Sequence, residues 1–273
     1  MGAVPVDPPR RPLTFLVVVA LLSLPFYIAG VFGALHAGAL RLPLSAAMFV
    51  VPALAGVGLT VRDRGWAAGW RMVRDVWDVP PARTRWYATA VGLFVAVAVA
   101  AYCIARAAGV AGTGLPVAPP TIPVLIVVFA SAAAAEELGW TGYATDPLRA
   151  RIGDTGAGLV LGGYWALWHL LPLTQAGHGP VWIGGWFAGT VAARVIIVWL
   201  HVRAGGVGVA VLAHTTINLT AACTPGYDST VVPVTGAVLL VTVAAVVSVP
   251  CARTRSAQGG LPGHDESKPI VRM

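Results

Sequence analysis

Charge is what this chain has least of. Only 11% of its 273 residues are Asp, Glu, Lys or Arg, while 57% are hydrophobic, and the mean hydropathy is +0.78. Soluble domains carry about 25% charged residues, so a soluble globular protein is excluded. Cysteine is nearly absent too. Cys103, Cys223 and Cys251 form no disulfide framework and have no metal-ligand spacing, and read as small apolar fillers. No internal repeat is visible, which removes support for an inverted-repeat transporter. The chain also lacks HExxH, GxSxG and a full GxGD; "RIGD" at 151–154 is a partial match. Familiar zinc, serine and aspartyl protease signatures are therefore missing. The net charge of +7 gathers into no basic patch or recognition motif, so nucleic acid is not an expected partner.

What the chain does have is long apolar runs. Each membrane helix needs about 20 mainly apolar residues, and eight runs qualify, near 13–35, 43–61, 87–107, 122–138, 157–174, 181–200, 206–223 and 231–250. Pro, Gly and charge mark the connectors, as in "RLP" at 41–43, "PPAR" at 80–83 and "PVAPPTIP" at 116–123. The fold expected is an all-α polytopic bundle of about eight spans. The opening "RRPLTF" faintly matches a twin-arginine export signal, but the apolar run behind it outlasts a signal peptide, so an uncleaved first span is expected. The tail "RTRSAQGGLPGHDESKPIVRM" reads as disordered. With the N-terminus inside, fifteen of the eighteen basic residues fall on the inner side, Arg41 alone falls outside, and Arg106 and Arg194 lie within spans. This is the positive-inside bias, and it places both termini in the cytoplasm of a cell-membrane protein. Segment 62–86 mixes Trp66, Trp70 and Trp77 with arginines, as an interfacial amphipathic helix on an anionic leaflet would.

Ionisable side chains inside a bilayer cost about 2.5–3.5 kcal/mol or more at mid-helix and point to function by default. Four places carry them or their polar companions: Glu136 and Glu137 at the end of "PVLIVVFASAAAAEE", His169 in "YWALWHLLPL", His214 with Asn218 in "VLAHTTINLT", and Arg194 in "GTVAARVIIVWL". Taken singly, an intramembrane histidine or asparagine is most often interhelical glue, and a Glu pair often marks a helix end. The recurrence of Glu136, Glu137, His169, His214 and Asn218 on three separate spans supplies a base, an acid and an oxyanion donor.

These patches, in this order, resemble the CPBP family of membrane-embedded proteases, which comprises type II CAAX prenyl endopeptidases and bacteriocin-processing Abi proteins. The family patterns EExxxR, FxxxH and HxxxN appear here as "EELGWTG" (Glu136 to Gly142), "WALWH" (Trp165 to His169) and "HTTIN" (His214 to Asn218). The resemblance covers roughly 122–222, a catalytic core of spans four to seven. Residues 1–121 supply three generic spans and the basic loop 62–86, and 223–273 supply the last span and tail. Two positions depart from the pattern. Trp165 replaces the phenylalanine, a mild change if its role is packing. Thr141 replaces the arginine that would hold the second glutamate by an ion pair. Depth counting suggests a substitute: Glu136 lies fourteen residues past Ile122 and Arg194 thirteen past Val181, both roughly 20 Å along parallel spans at 1.5 Å per residue. Arg194 is therefore expected within reach of Glu137.

The resemblance implies an intramembrane endopeptidase acting on a membrane-associated peptide or protein substrate in the lipid bilayer. Glu136 would be the general base, with Glu137 beside it, His169 would position or protonate, and His214 with Asn218 would hold the oxyanion. Trp165, Thr141 and Arg194 would support. Glu136, His169 and His214 could alternatively hold a zinc with an open water position; no cofactor is otherwise implied. The competing expectations are a non-proteolytic immunity or scaffold protein, for which Thr141 is the best argument, and a proton-coupled transporter.

Overall fold

The computed structural model describes residues 10–37, 40–77 and 83–249; the tail beyond 249, with Cys251 and the expected disorder, lies outside the described residues. The elements in order are α1 (Pro12–Phe32), a short antiparallel hairpin β1 (Ala34–Ala37) and β2 (Leu40–Pro43), a 3-10 stretch (Leu44–Val50) leading into α2 (Val51–Arg64), α3 (Trp66–Asp75), α4 (Thr84–Ala107), α5 (Ile122–Gly139), a π-helical turn (Trp140–Thr145), α6 (Asp146–Trp168), α7 (Leu170–Gln175), α8 (Pro180–Ala204), α9 (Gly208–Cys223) and α10 (Val231–Ser248). The protein is a polytopic all-α bundle, with the hairpin as a minor addition that hydropathy did not indicate. Its register pairs Ala34 with Pro43 and Ala37 with Leu40.

Six helical stretches are long and apolar enough to cross a membrane. Prolines open several of the helices in the first turn, where a missing N–H costs nothing. One stretch, Pro119–Gln175, is 57 residues long and contains two of the expected spans. The connector expected at 139–156 is instead helical: the π turn joins α5 to α6, Pro147 sits in the first turn of α6, and Gly153 at φ 75° redirects the chain inside α6. A positive φ of this kind suits glycine above other residues. The seventh expected span is α9, an apolar helix of 16 residues. Segment 62–86 contains the short helix α3, whose Trp66 and Trp70 are exposed while Gly69 is buried.

Packing is close where backbones must approach. A Cβ on Gly158 of α6 would lie 2.7 Å from the Val195 Cα of α8, and one on Gly162 would lie 2.9 Å from the Val191 Cα. Small residues at such contacts let membrane helices meet through their backbones. A Cβ on Gly139 would strike the Pro52 carbonyl, so α2 braces the end of α5 three residues beyond Glu136. The outer surface exposes Leu13, Val17, Leu21, Val99 and Val127, while Glu136, Glu137, Arg194 and His214 are buried. That inversion of the soluble pattern suits a lipid surroundings with polar groups facing the bundle interior.

Candidate active site

The site begins with the helical repeat of α5 running into the π turn. Residues four apart lie on one helix face, so each glutamate has a donor one turn on. Trp140 donates from Nε1 to Glu136 Oε2 at 3.3 Å, and the Thr141 hydroxyl donates to Glu137 Oε2. The widened turn shows in the Thr145 hydroxyl, which donates to the Trp140 carbonyl five residues back at 2.9 Å.

The two carboxylates are then treated very differently. Glu137 is fully buried. Arg194 of α8 grips it with two bonds, NH1 to Oε2 at 2.7 Å and NH2 to Oε1 at 2.8 Å, and His214 of α9 places Nδ1 2.9 Å from Oε1. A carboxylate oxygen facing a ring nitrogen makes that nitrogen the donor. Arg194 is the buried cation that the missing motif arginine left to be found, and Thr141 adds a hydrogen bond. Among the described residues Glu136 meets no cation at hydrogen-bond distance. Its Oε2 accepts from Trp140 and from Trp165 Nε1 at 2.8 Å, and its Oε1 has no hydrogen-bond partner among the described residues.

Trp165 is the hub. Its ring lies 4.8 Å from the His214 ring and 5.9 Å from the His169 ring, and the Arg194 guanidinium stands 4.3 Å above it. The replacement of the motif phenylalanine therefore adds a hydrogen bond to Glu136 that packing alone would not supply. His169 directs Nδ1 at the Trp165 carbonyl, 3.0 Å away. A carbonyl only accepts, so Nδ1 carries the proton and Nε2 is left to accept one. The His169 ring is held between Trp168 at 4.8 Å and Trp186 at 5.2 Å. Asn218 stands one turn beyond His214, half-buried, and makes no side-chain hydrogen bond to the described residues.

The structure thus joins Glu136, Glu137, Trp165, His169, Arg194 and His214 through direct contacts, with Trp140 as a member that sequence reasoning missed. Its signal was the same i to i+4 spacing that linked Thr141 to Glu137. Among the described residues no three His, Cys, Asp or Glu side chains gather closely enough to hold a metal ion. Glu136, His169 and His214 are not gathered into such a group, although each keeps one atom outside the hydrogen bonds named above: Glu136 Oε1, His169 Nε2 and His214 Nε2. A cleft of about 280 Å³ lies elsewhere, at the start of α8, lined by His178, Trp182 and Asp228 among others. There the His178 ring stacks on Trp182 at 3.7 Å, and burial lowers its pKa.

Residues 118–220 match the family model of Type II CAAX prenyl endopeptidase Rce1-like proteins. That stretch contains every motif residue just described. A curated relative, CAAX prenyl protease 2 of Methanococcus maripaludis, is 30% identical over 136 residues, which is 46% of this chain and 49% of the relative. The chain therefore spans about half the length of that relative. Within the matched stretch the chain has the paired glutamates, both histidines and the asparagine of the motifs it resembles, and its buried cation, Arg194, lies on α8.

Proposed function

We propose that the protein is an intramembrane endopeptidase in which Glu136 activates water to hydrolyse a peptide bond of a membrane-associated substrate. The single observation that carries the reading is the asymmetry of the glutamate pair. Glu137 has its oxygens committed to Arg194, His214 and Thr141, so it serves to hold others. Glu136 is fixed through one oxygen and keeps the other open for a water.

In the reaction, Glu136 takes a proton from that water, and the hydroxide adds to the scissile carbonyl carbon. Negative charge moves to the carbonyl oxygen. Asn218 donates from its amide to this oxyanion, with His214, oriented by Glu137 through Nδ1, beside it. Collapse of the tetrahedral intermediate breaks the C–N bond, and the proton passes from Glu136 to the leaving amine, with His169 Nε2 as relay. One water is consumed, and one carboxylate and one amine are released. Burial of Glu136 and His214 excludes bulk water and strengthens each of these contacts. The arginine bias of the sequence supports cytoplasmic N- and C-termini in a cell-membrane protein.

The experiment is cleavage of a membrane-anchored peptide reporter by the purified protein in lipid vesicles. Wild-type protein releases the fragment and Glu136→Gln does not. Equal release by both proteins removes Glu136 from the chemistry, and no release by either removes the reading.

A further inference from the structure

At the end of α8 away from His178, a second cleft of about 180 Å³ opens between α6, α8 and α10. Val195, Val202, Val247 and Val249 give it apolar walls, and Trp199 and the exposed Arg203 also line it. Beside it, the start of α4 brings in Trp86, whose ring meets that of Trp199 at 5.3 Å and 88°. Two guanidinium groups lie over this indole pair. Arg203 is 5.6 Å from the Trp86 ring and 5.2 Å from the Trp199 ring, and Arg85 is 5.1 Å from the Trp86 ring.

Both arginines are exposed, and among the described residues neither meets a carboxylate. Asp154, which also lines the cleft, is committed to Arg149 at 2.8 Å. Arg83 adds a third cation, its NH1 donating to the Arg203 carbonyl at 2.8 Å, which holds the start of α4 against the end of α8. Stacking on an indole fixes the plane of a guanidinium and leaves its N–H edge free, the geometry that takes a phosphate bidentately. Tryptophans are favoured at the headgroup level of a bilayer. A cleft of six or so water volumes, at about 30 Å³ each, has room for a phosphate group but not for a whole lipid.

We propose that Arg85 and Arg203, stacked on the Trp86–Trp199 pair beside this cleft, form a site for the phosphate of an anionic phospholipid. The headgroup lies on the two guanidinium edges, and the first carbons of its chains enter between the valines. The site is separate from Glu136 and does not depend on the protein being a protease.

The test is lipid retention by the full chain, read by native mass spectrometry after exchange into phosphatidylglycerol or phosphatidylcholine. Expected is retention of phosphatidylglycerol over phosphatidylcholine, weakened at least tenfold in the Arg85→Ala/Arg203→Ala pair. If that pair fails to fold, Arg85→Lys/Arg203→Lys replaces it; losing the stacked fork while keeping charge weakens binding at least threefold. Equal retention of the two lipids overturns the proposal, as does undiminished binding in the variant that folds. Displacement of the lipid by millimolar inorganic phosphate alone also overturns it, because the site would then be one for the free anion.

Discussion

Arg194 and Glu137 stand 57 positions apart, on different helices, and meet in a bidentate ion pair with both side chains fully buried. Removing one partner of a buried pair leaves the other charge uncompensated, at a cost of about 3–5 kcal/mol. Arg194→Ala is therefore expected to lower the thermal unfolding temperature in detergent and to abolish reporter cleavage. Thr141→Arg in that background returns a cation to the position the family pattern uses and is expected to recover part of both. A wild-type melting temperature for Arg194→Ala contradicts this.

The chemical roles separate by substitution. Glu136→Gln keeps an oxygen that can accept from Trp140 and Trp165, so the fold is expected to survive while turnover vanishes. Asn218→Ala is expected to cut kcat by roughly 10² to 10³, the usual loss for one oxyanion donor. Single-turnover rates with matched circular dichroism spectra check both.

Trp165→Phe restores the family residue and keeps an aromatic ring near Arg194 and His214 while deleting the N–H that holds Glu136. Losing this orientation is expected to lower kcat about tenfold with KM little changed, consistent with a hydrogen bond to a charged group at about 1.5–3 kcal/mol. Trp140→Phe, whose bond is longer at 3.3 Å against 2.8 Å, is expected to lose less. If Trp165→Phe matches wild type in kcat, its indole N–H plays no part.

Glu136 acting alone as the base predicts cleavage that continues in excess EDTA or 1,10-phenanthroline. Inhibition that added zinc reverses would show a metal at work.

Gly139→Ala is expected to destabilise the protein by about 1–3 kcal/mol, the usual cost of overpacking, because the added methyl meets the Pro52 carbonyl backbone. Chemical denaturation in mixed micelles measures it, and an unchanged midpoint would mean α2 yields freely.

Hydropathy made the helices legible, since lipid-facing stretches announce themselves over 20 residues. It misread 139–156. "WTGYATDPLRARIGD" has the composition of a loop, yet Pro147 falls in a first helical turn and Gly153 bends the helix without ending it. The ionisable site residues were legible because charge in an apolar run is rare. The count of residues along two spans also found Arg194. Trp140 escaped, and Trp165 was expected only to pack, because a tryptophan in a greasy helix normally signals packing, and no local pattern reveals that an indole N–H faces a carboxylate across helices.

Moving the cation from the first motif to α8 also changes when the site becomes complete. In the family pattern the two partners stand four residues apart in one segment. Here Glu137 precedes its partner by 57 residues. At roughly 5–20 residues per second, the carboxylate waits roughly 3–11 seconds for Arg194 to be synthesised. Until α8 joins α5, Glu137 has only Thr141 of its own segment as a partner, so its ion pair waits on a later span.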